Sequence, residues 1–154
     1  MQQQPRLDQA LKLLSWPAAL YIAYILLWYE QYKLTGDDGS VWLFQILADW
    51  LGIHDYERPF RLGVASAEIV ASVLVLLPRT RLYGGALALG LMSGAIFFHT
   101  VSPLGTDPYG DGGVLFHEAC EVWLCALFVL VAYRREGLAL VERWTGWRIA
   151  PRVS

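Results

Sequence analysis

Four long apolar runs, separated by short polar connections, constrain this chain more than any other feature it carries. They fall at about residues 14–34, 60–77, 82–101 and 114–133. A helix of about 20 residues rises roughly 30 Å, the depth of a bilayer's hydrocarbon layer. With 56% of its residues hydrophobic and only 17% charged, a chain of 154 residues has too little polar sequence left to hide such runs from water. The expected fold is therefore all-α: an integral membrane four-helix bundle forming a single domain over residues 1–154. An additional short interfacial helix is expected in the first extracytoplasmic loop.

The boundaries follow from local signals. Lys12 precedes the first run, but no small-x-small cleavage site follows it, so the run reads as a retained helix with Ser15-Trp16-Pro17 at its entrance. Trp28, Tyr29, Tyr32 and Lys33 form an interfacial belt at its far end. Thr35 to Ser40 is a turn, with Ser40 available as a helix cap. Segment 41–53 carries Trp42, Leu43, Ile46, Leu47, Trp50 and Leu51 at helical spacing and is too short to span. It is expected to lie flat on the membrane or folded over the bundle mouth. Phe60 and Arg61 extend the second helix toward the interface, with Pro59 in its first turn. The tight Pro78-Arg79-Thr80-Arg81 link makes the second and third helices antiparallel neighbours. In the third, Gly90 and Gly94 form a small-xxx-small pair suited to close helix contact. Residues 102–113 are a loop, and residues 134–154 form a cytoplasmic tail with an amphipathic stretch through Leu138, Leu140, Val141, Trp144 and Trp147.

Charge orients the bundle. Arg6 and Lys12, the Arg79/Arg81 connection and Arg134, Arg135, Arg143, Arg148 and Arg152 all fall on one side. The opposite loops are acidic overall. The positive-inside rule then places both termini in the cytoplasm of a multi-pass protein, with the lipid bilayer as its first partner. A net charge of -2 without an extended basic surface excludes nucleic acid as a partner.

With that orientation, the embedded ionisable groups gather in the outer half: Glu30, Lys33, Glu68, His99, His117, Glu118 and Glu121. A charge in hydrocarbon costs roughly 2.5 to 3.5 kcal/mol on insertion scales unless it is paired, hydrated or neutralised. These groups should therefore converge on the bundle interior or a wet vestibule. One reading is structural, with Lys33 pairing Glu30 or Glu68 to hold helices together. A second is a site for a small ligand, a proton or a redox cofactor, in which His99 or His117 exchanges a proton with a quinone. A third is a transition-metal site drawn from Glu68, His99, His117 and Glu121, or haem held by the two histidines. Cys120 and Cys125, five residues apart on one helix, cannot bridge each other and read as small hydrophobes. No phosphate-binding loop, nucleophile elbow or His-Glu-x-x-His motif is present.

Tyr32-Lys33-Leu34-Thr35-Gly36, Ala67-Glu68-Ile69-Val70-Ala71-Ser72, Leu76-Leu77-Pro78-Arg79-Thr80-Arg81-Leu82 and Gly94-Ala95-Ile96-Phe97-Phe98-His99 together resemble the DoxX-like family of small membrane proteins. The resemblance implies a bacterial or archaeal cytoplasmic membrane and a four-helix arrangement. It also implies association with thiosulfate:quinone oxidation, sulfur metabolism or oxidative stress. Lys33, Gly36, Glu68, Arg81 and His99 match its recurrent positions. The chain departs from the pattern before Lys33, in the extra segment 41–58 and in the His117-Glu118-x-x-Glu121 group. The expected function is a membrane redox accessory handling quinol or small sulfur compounds. A scaffold or accessory subunit of a larger membrane or redox complex is the non-enzymatic alternative.

Overall fold

The computed structural model of the protein describes residues 3–146 and is all-helical over them: α1 (Gln3–Thr35), α2 (Asp38–Trp50), a 3-10 turn (His54–Tyr56), α3 (Glu57–Leu76), α4 (Arg81–Val101), α5 (Val114–Ala132) and α6 (Arg134–Thr145). Trp147, Arg148 and Arg152, which contribute to the expected tail, lie outside the described residues. Four helices, α1, α3, α4 and α5, are long and apolar enough to cross a membrane. They pack as a ring in which α1 touches α3, α3 touches α4, α4 touches α5 and α5 closes on α1.

Side-chain distribution is that of a protein solvated by lipid. Small residues, among them Ala19, Ala23, Ala71, Ala88, Ala126 and Ala132, are buried between helices, whereas Leu20, Tyr24, Val73, Tyr83, Phe97 and Leu124 face outward. Packing between helices in a membrane relies on close backbone approach rather than on expulsion of water, so small residues belong at the contacts. The closest contact is not made by Gly90 and Gly94, which have no neighbour within 4 Å of an added Cβ. Gly84 and Gly85 make it instead: a Cβ on Gly84 would lie 2.2 Å from the backbone nitrogen of Val75, and one on Gly85 would lie 2.8 Å from Cγ1 of Val129.

Two helix ends differ from expectation. The first helix starts at Gln3, not near Leu14, and runs through Pro17, which removes one backbone donor without ending it. This extension lets Asp8 pair with Arg134 at 2.8 Å and Arg135 at 2.9 Å, and Lys12 pair with Glu136. The beginning of the tail is accordingly a helix, α6, anchored against α1, and the described chain has six helices where five were expected. Ser40 is not the cap of α2. Gly36, at φ 72°, turns the chain, Asp37 N–H donates to the Tyr32 carbonyl at 3.0 Å, and the Asp37 carboxylate accepts from Gly39 N–H at 3.1 Å. Gly36 permits the left-handed step that ends α1, and Asp37 then starts α2.

α2 packs mainly on α3 and covers the end of the bundle where α1 and α4 finish and α3 and α5 begin, hereafter the mouth. Leu43, Phe44 and Leu47 point inward against Phe60, Val64, Phe98 and Leu115. Phe44 and Phe60 meet edge to face at 5.4 Å. At the opposite end, Arg81 is fully buried without a carboxylate. Its guanidinium donates to the carbonyls of Val75 (2.8 Å) and Leu76 (3.3 Å) and to Ser15 Oγ (3.2 Å), and lies 3.8 Å from the Trp16 ring centre. These are carbonyls that the end of α3 leaves without helical partners.

Candidate functional site

The mouth is organised around Lys33. In the last turn of α1, its ammonium bonds Glu30 one turn earlier at 3.1 Å and reaches across to Glu68 of α3. Both glutamates are almost completely buried, with 4% and 5% of their surface exposed. Arg61, also 5% exposed, extends α3 beyond Leu62 as expected, but its side chain does not reach out to the interface. It folds inward, donating to the Lys33 carbonyl and pairing with Glu57 at 2.6 Å. It thereby caps the C-terminal carbonyls of α1, where a cation is favoured by the helix dipole. Glu30 Oε2 remains buried without a hydrogen-bond partner among the described residues.

Beneath α2 lies a cavity of about 730 Å³, bounded by α1, α2, α3, α4, α5 and the loop before α5. Its wall is mostly apolar and aromatic, with Trp28, Phe44, Leu47, Phe60, Leu91 and Phe98 prominent. Lys33, Glu68, His99 and Glu118 supply polar groups at its edges. His99 is 5% exposed, and its Nδ1 is 2.7 Å from the Gly105 carbonyl. A carbonyl only accepts, so Nδ1 carries a proton, and Nε2 is the nitrogen left to accept whenever the ring is uncharged. The Phe116 ring stands edge-on to His99 at 5.7 Å.

Loop chemistry sets the rim. Asp107 accepts from Asp111 N–H and Gly113 N–H at 3.0 Å each, and Asp111 accepts from Gly113 N–H at 3.0 Å and Val114 N–H at 3.1 Å, capping α5. Gly113, at φ 77°, passes so close to Thr106 that a Cβ would stand 2.7 Å from its carbonyl oxygen. Tyr109 donates to the Gly39 carbonyl at 3.1 Å and packs on Trp42, joining this loop to α2. Burial pushes its phenol above the ordinary range, with the Asp37 and Asp111 carboxylates adding to the effect. On the outer rim, the His54 ring at 2.9 Å, with Gln45 beside it, holds the Asp49 carboxyl below its usual range.

The acids of α5 turn toward α1. Tyr29 donates to Glu118, and Tyr21, deeper in the span, donates to Glu121. Glu121 and His117 are exposed on the outside of the bundle and do not line the cavity. The expected convergence is thus divided. Glu30, Lys33 and Glu68 form one cluster, His99 and Glu118 belong to the cavity wall, and His117 and Glu121 face outward. Glu68, His99, His117 and Glu121 do not come together as one ligand set, and no three His, Cys, Asp or Glu side chains among the described residues form a group able to hold a metal.

Compared with protein-family models, curated proteins and solved structures, the chain gave no match. What can be said of its chemistry therefore comes from the mouth itself. The sequence marks Arg61 and Tyr29 only as interfacial residues and does not single out Tyr21, because each lies beside an interface or among apolar neighbours, where an aromatic belt or a snorkelling cation is the default. Glu57, four residues before Arg61, was the available signal for an inward salt bridge. An aromatic cavity with a carboxylate–ammonium pair and an imidazole acceptor can bury a lipophilic molecule and exchange protons with its polar end.

Proposed function

We propose that the mouth cavity binds a lipophilic molecule with a polar, proton-exchanging head, a quinol or quinone, and that the protein serves as a redox accessory in a prokaryotic cytoplasmic membrane. The observation that carries this reading is the pairing of a long apolar wall with two polar stations, Lys33–Glu68 and His99. A ring with an isoprenoid tail matches such a wall. A small sulfur anion gains nothing from it, and Lys33 is already neutralised by carboxylates. His99 Nε2 accepts from a quinol hydroxyl, and the Lys33 ammonium donates to a quinone carbonyl. The resemblance to the DoxX-like family supports the redox class. The segregation of Lys and Arg supports placing both termini in the cytoplasm.

Trp28 lines the cavity and reports on its occupancy. Titration of purified protein with a short-chain quinone should quench tryptophan fluorescence saturably. His99→Leu should weaken binding about tenfold, the equivalent of about 1.4 kcal/mol for one hydrogen bond. Neutralising Glu68 or His99 should also lower electron transfer in membranes while assembly persists. Unchanged titration and turnover in both variants would sink the reading.

One observation favours an accessory-subunit role beside this one: Glu121 stands exposed on the outside of the bundle within the α5 span, with Tyr21 as its donor. A carboxyl there is better accommodated against a partner helix than against hydrocarbon. Native mass analysis after mild extraction tests it. A co-purifying membrane protein lost in Glu121→Leu supports the role, and a solitary monomer counts against it.

A further inference from the structure

Glu30 and Glu68 converge on the same ammonium, Glu30 Oε1 at 3.1 Å and Glu68 Oε2 in direct contact, while at least nine-tenths of each residue is buried. Glu30 Oε2 is buried with no donor among the described residues. Two carboxylates cannot hydrogen-bond one another, since both only accept, whereas a carboxylic acid and a carboxylate can. A proton on the pair is therefore the donor that no neighbouring residue supplies.

The surroundings agree. Lys33 is the cation facing the pair from α1. On α3, Arg61 is already balanced by Glu57 at 2.6 Å and spends its other contact on the Lys33 carbonyl. From α5, Glu118 is turned to Tyr29, and from α4, His99 stands in the cavity wall bound to Gly105. With both glutamates ionised, the Glu30–Lys33–Glu68 cluster carries one uncompensated negative charge inside the bundle, a state low polarity strongly disfavours. One proton makes it neutral.

We propose that Glu30 and Glu68 share a single proton above Lys33, forming a built-in proton-binding site whose cavity-facing member is Glu68. Glu68 lines the cavity and Glu30 does not, so the pair can pass its proton from Glu68 to a proton-accepting oxygen of a cavity ligand and then be reloaded on either carboxyl. The transfer is a simple exchange: a Glu68 O–H bond breaks, an O–H bond on the ligand forms, and no electron moves within the pair. The link to a quinone rests on the proposed function, whereas the proton site itself does not.

Infrared spectroscopy of the ligand-free protein tests the site directly. At neutral pH, exposed Asp and Glu are ionised and give no carboxylic-acid C=O band. The double variant Glu118→Gln/Glu121→Gln removes the two embedded acids of α5. It should keep a carboxylic-acid band that shifts in deuterium oxide. Adding Glu30→Gln or Glu68→Gln should abolish that band, because the single remaining carboxylate is neutralised by Lys33. Absence of the band from the double variant, or its survival when either pair member is replaced, overturns the proposal. A lost band with intact quinone quenching refutes the proton site alone. A retained band without quenching refutes the ligand reading alone.

Discussion

Arg81 and Lys33 are both cations of a membrane bundle, and they are stabilised in opposite ways. Lys33 is met by carboxylates. Arg81 is met by none and serves the open carbonyls at the end of α3, with Trp16 across its face. Its planar fork satisfies several acceptors at once, which an ammonium on a flexible stem does not reproduce. Arg81→Ala leaves Val75, Leu76 and Ser15 short of a donor, at about 1–3 kcal/mol for each buried group. The variant should lose at least about 3 kcal/mol of resistance to denaturation in detergent, and Arg81→Lys should recover less than half of that. Equal stability of wild type and Arg81→Ala would show that water or lipid takes over the role. Sequence identified both residues as important, one through the charge pattern and one through the embedded-charge argument. It did not separate a helix cap from an ion pair, because that depends on which carbonyls and carboxyls arrive from other helices.

At the scale of helices, close approach is decided by a few glycines. Gly84 sits where α4 meets the backbone of α3, so Gly84→Ala must push the two helices apart, at about 1–3 kcal/mol of overpacking. Gly90 and Gly94 border the cavity and have free space at Cβ. Gly94→Ala should therefore keep or slightly raise stability, by up to about 1 kcal/mol from the helix preference of alanine, while narrowing the cavity and weakening quinone quenching. Thermal unfolding of the two variants side by side checks the contrast; similar losses in both would contradict the packing described. The small-xxx-small spacing selected the wrong pair, since glycine spacing marks a possible contact without saying which face of α4 meets a neighbour. The amphipathic pattern of segment 41–53 was more informative: its apolar face does close over the bundle, as α2.

For the whole molecule, alternating helix directions and the contacts of Asp8 with Arg134 and Lys12 with Glu136 put the described beginning and end of the chain at the same end of the bundle. Together with the basic residues at that end, this predicts that reporters fused to either terminus give cytoplasmic signals, and that a tag inserted near Gly110 is reached from outside intact cells. Opposite signals from the two termini would exclude the arrangement. The sequence by itself determined the membrane class, four helices long and apolar enough to span, and the gathering of ionisable groups toward one end. Long apolar runs can be satisfied only by spanning helices, and embedded charges are costly enough to need shelter. Only the tertiary structure decided how those groups divide. Helix rotation turned Glu30, Lys33 and Glu68 together, set His99 and Glu118 in the cavity wall, and left His117 and Glu121 outside. Rotation is fixed by side-chain contacts between helices distant in sequence, and no periodicity within a single helix encodes it.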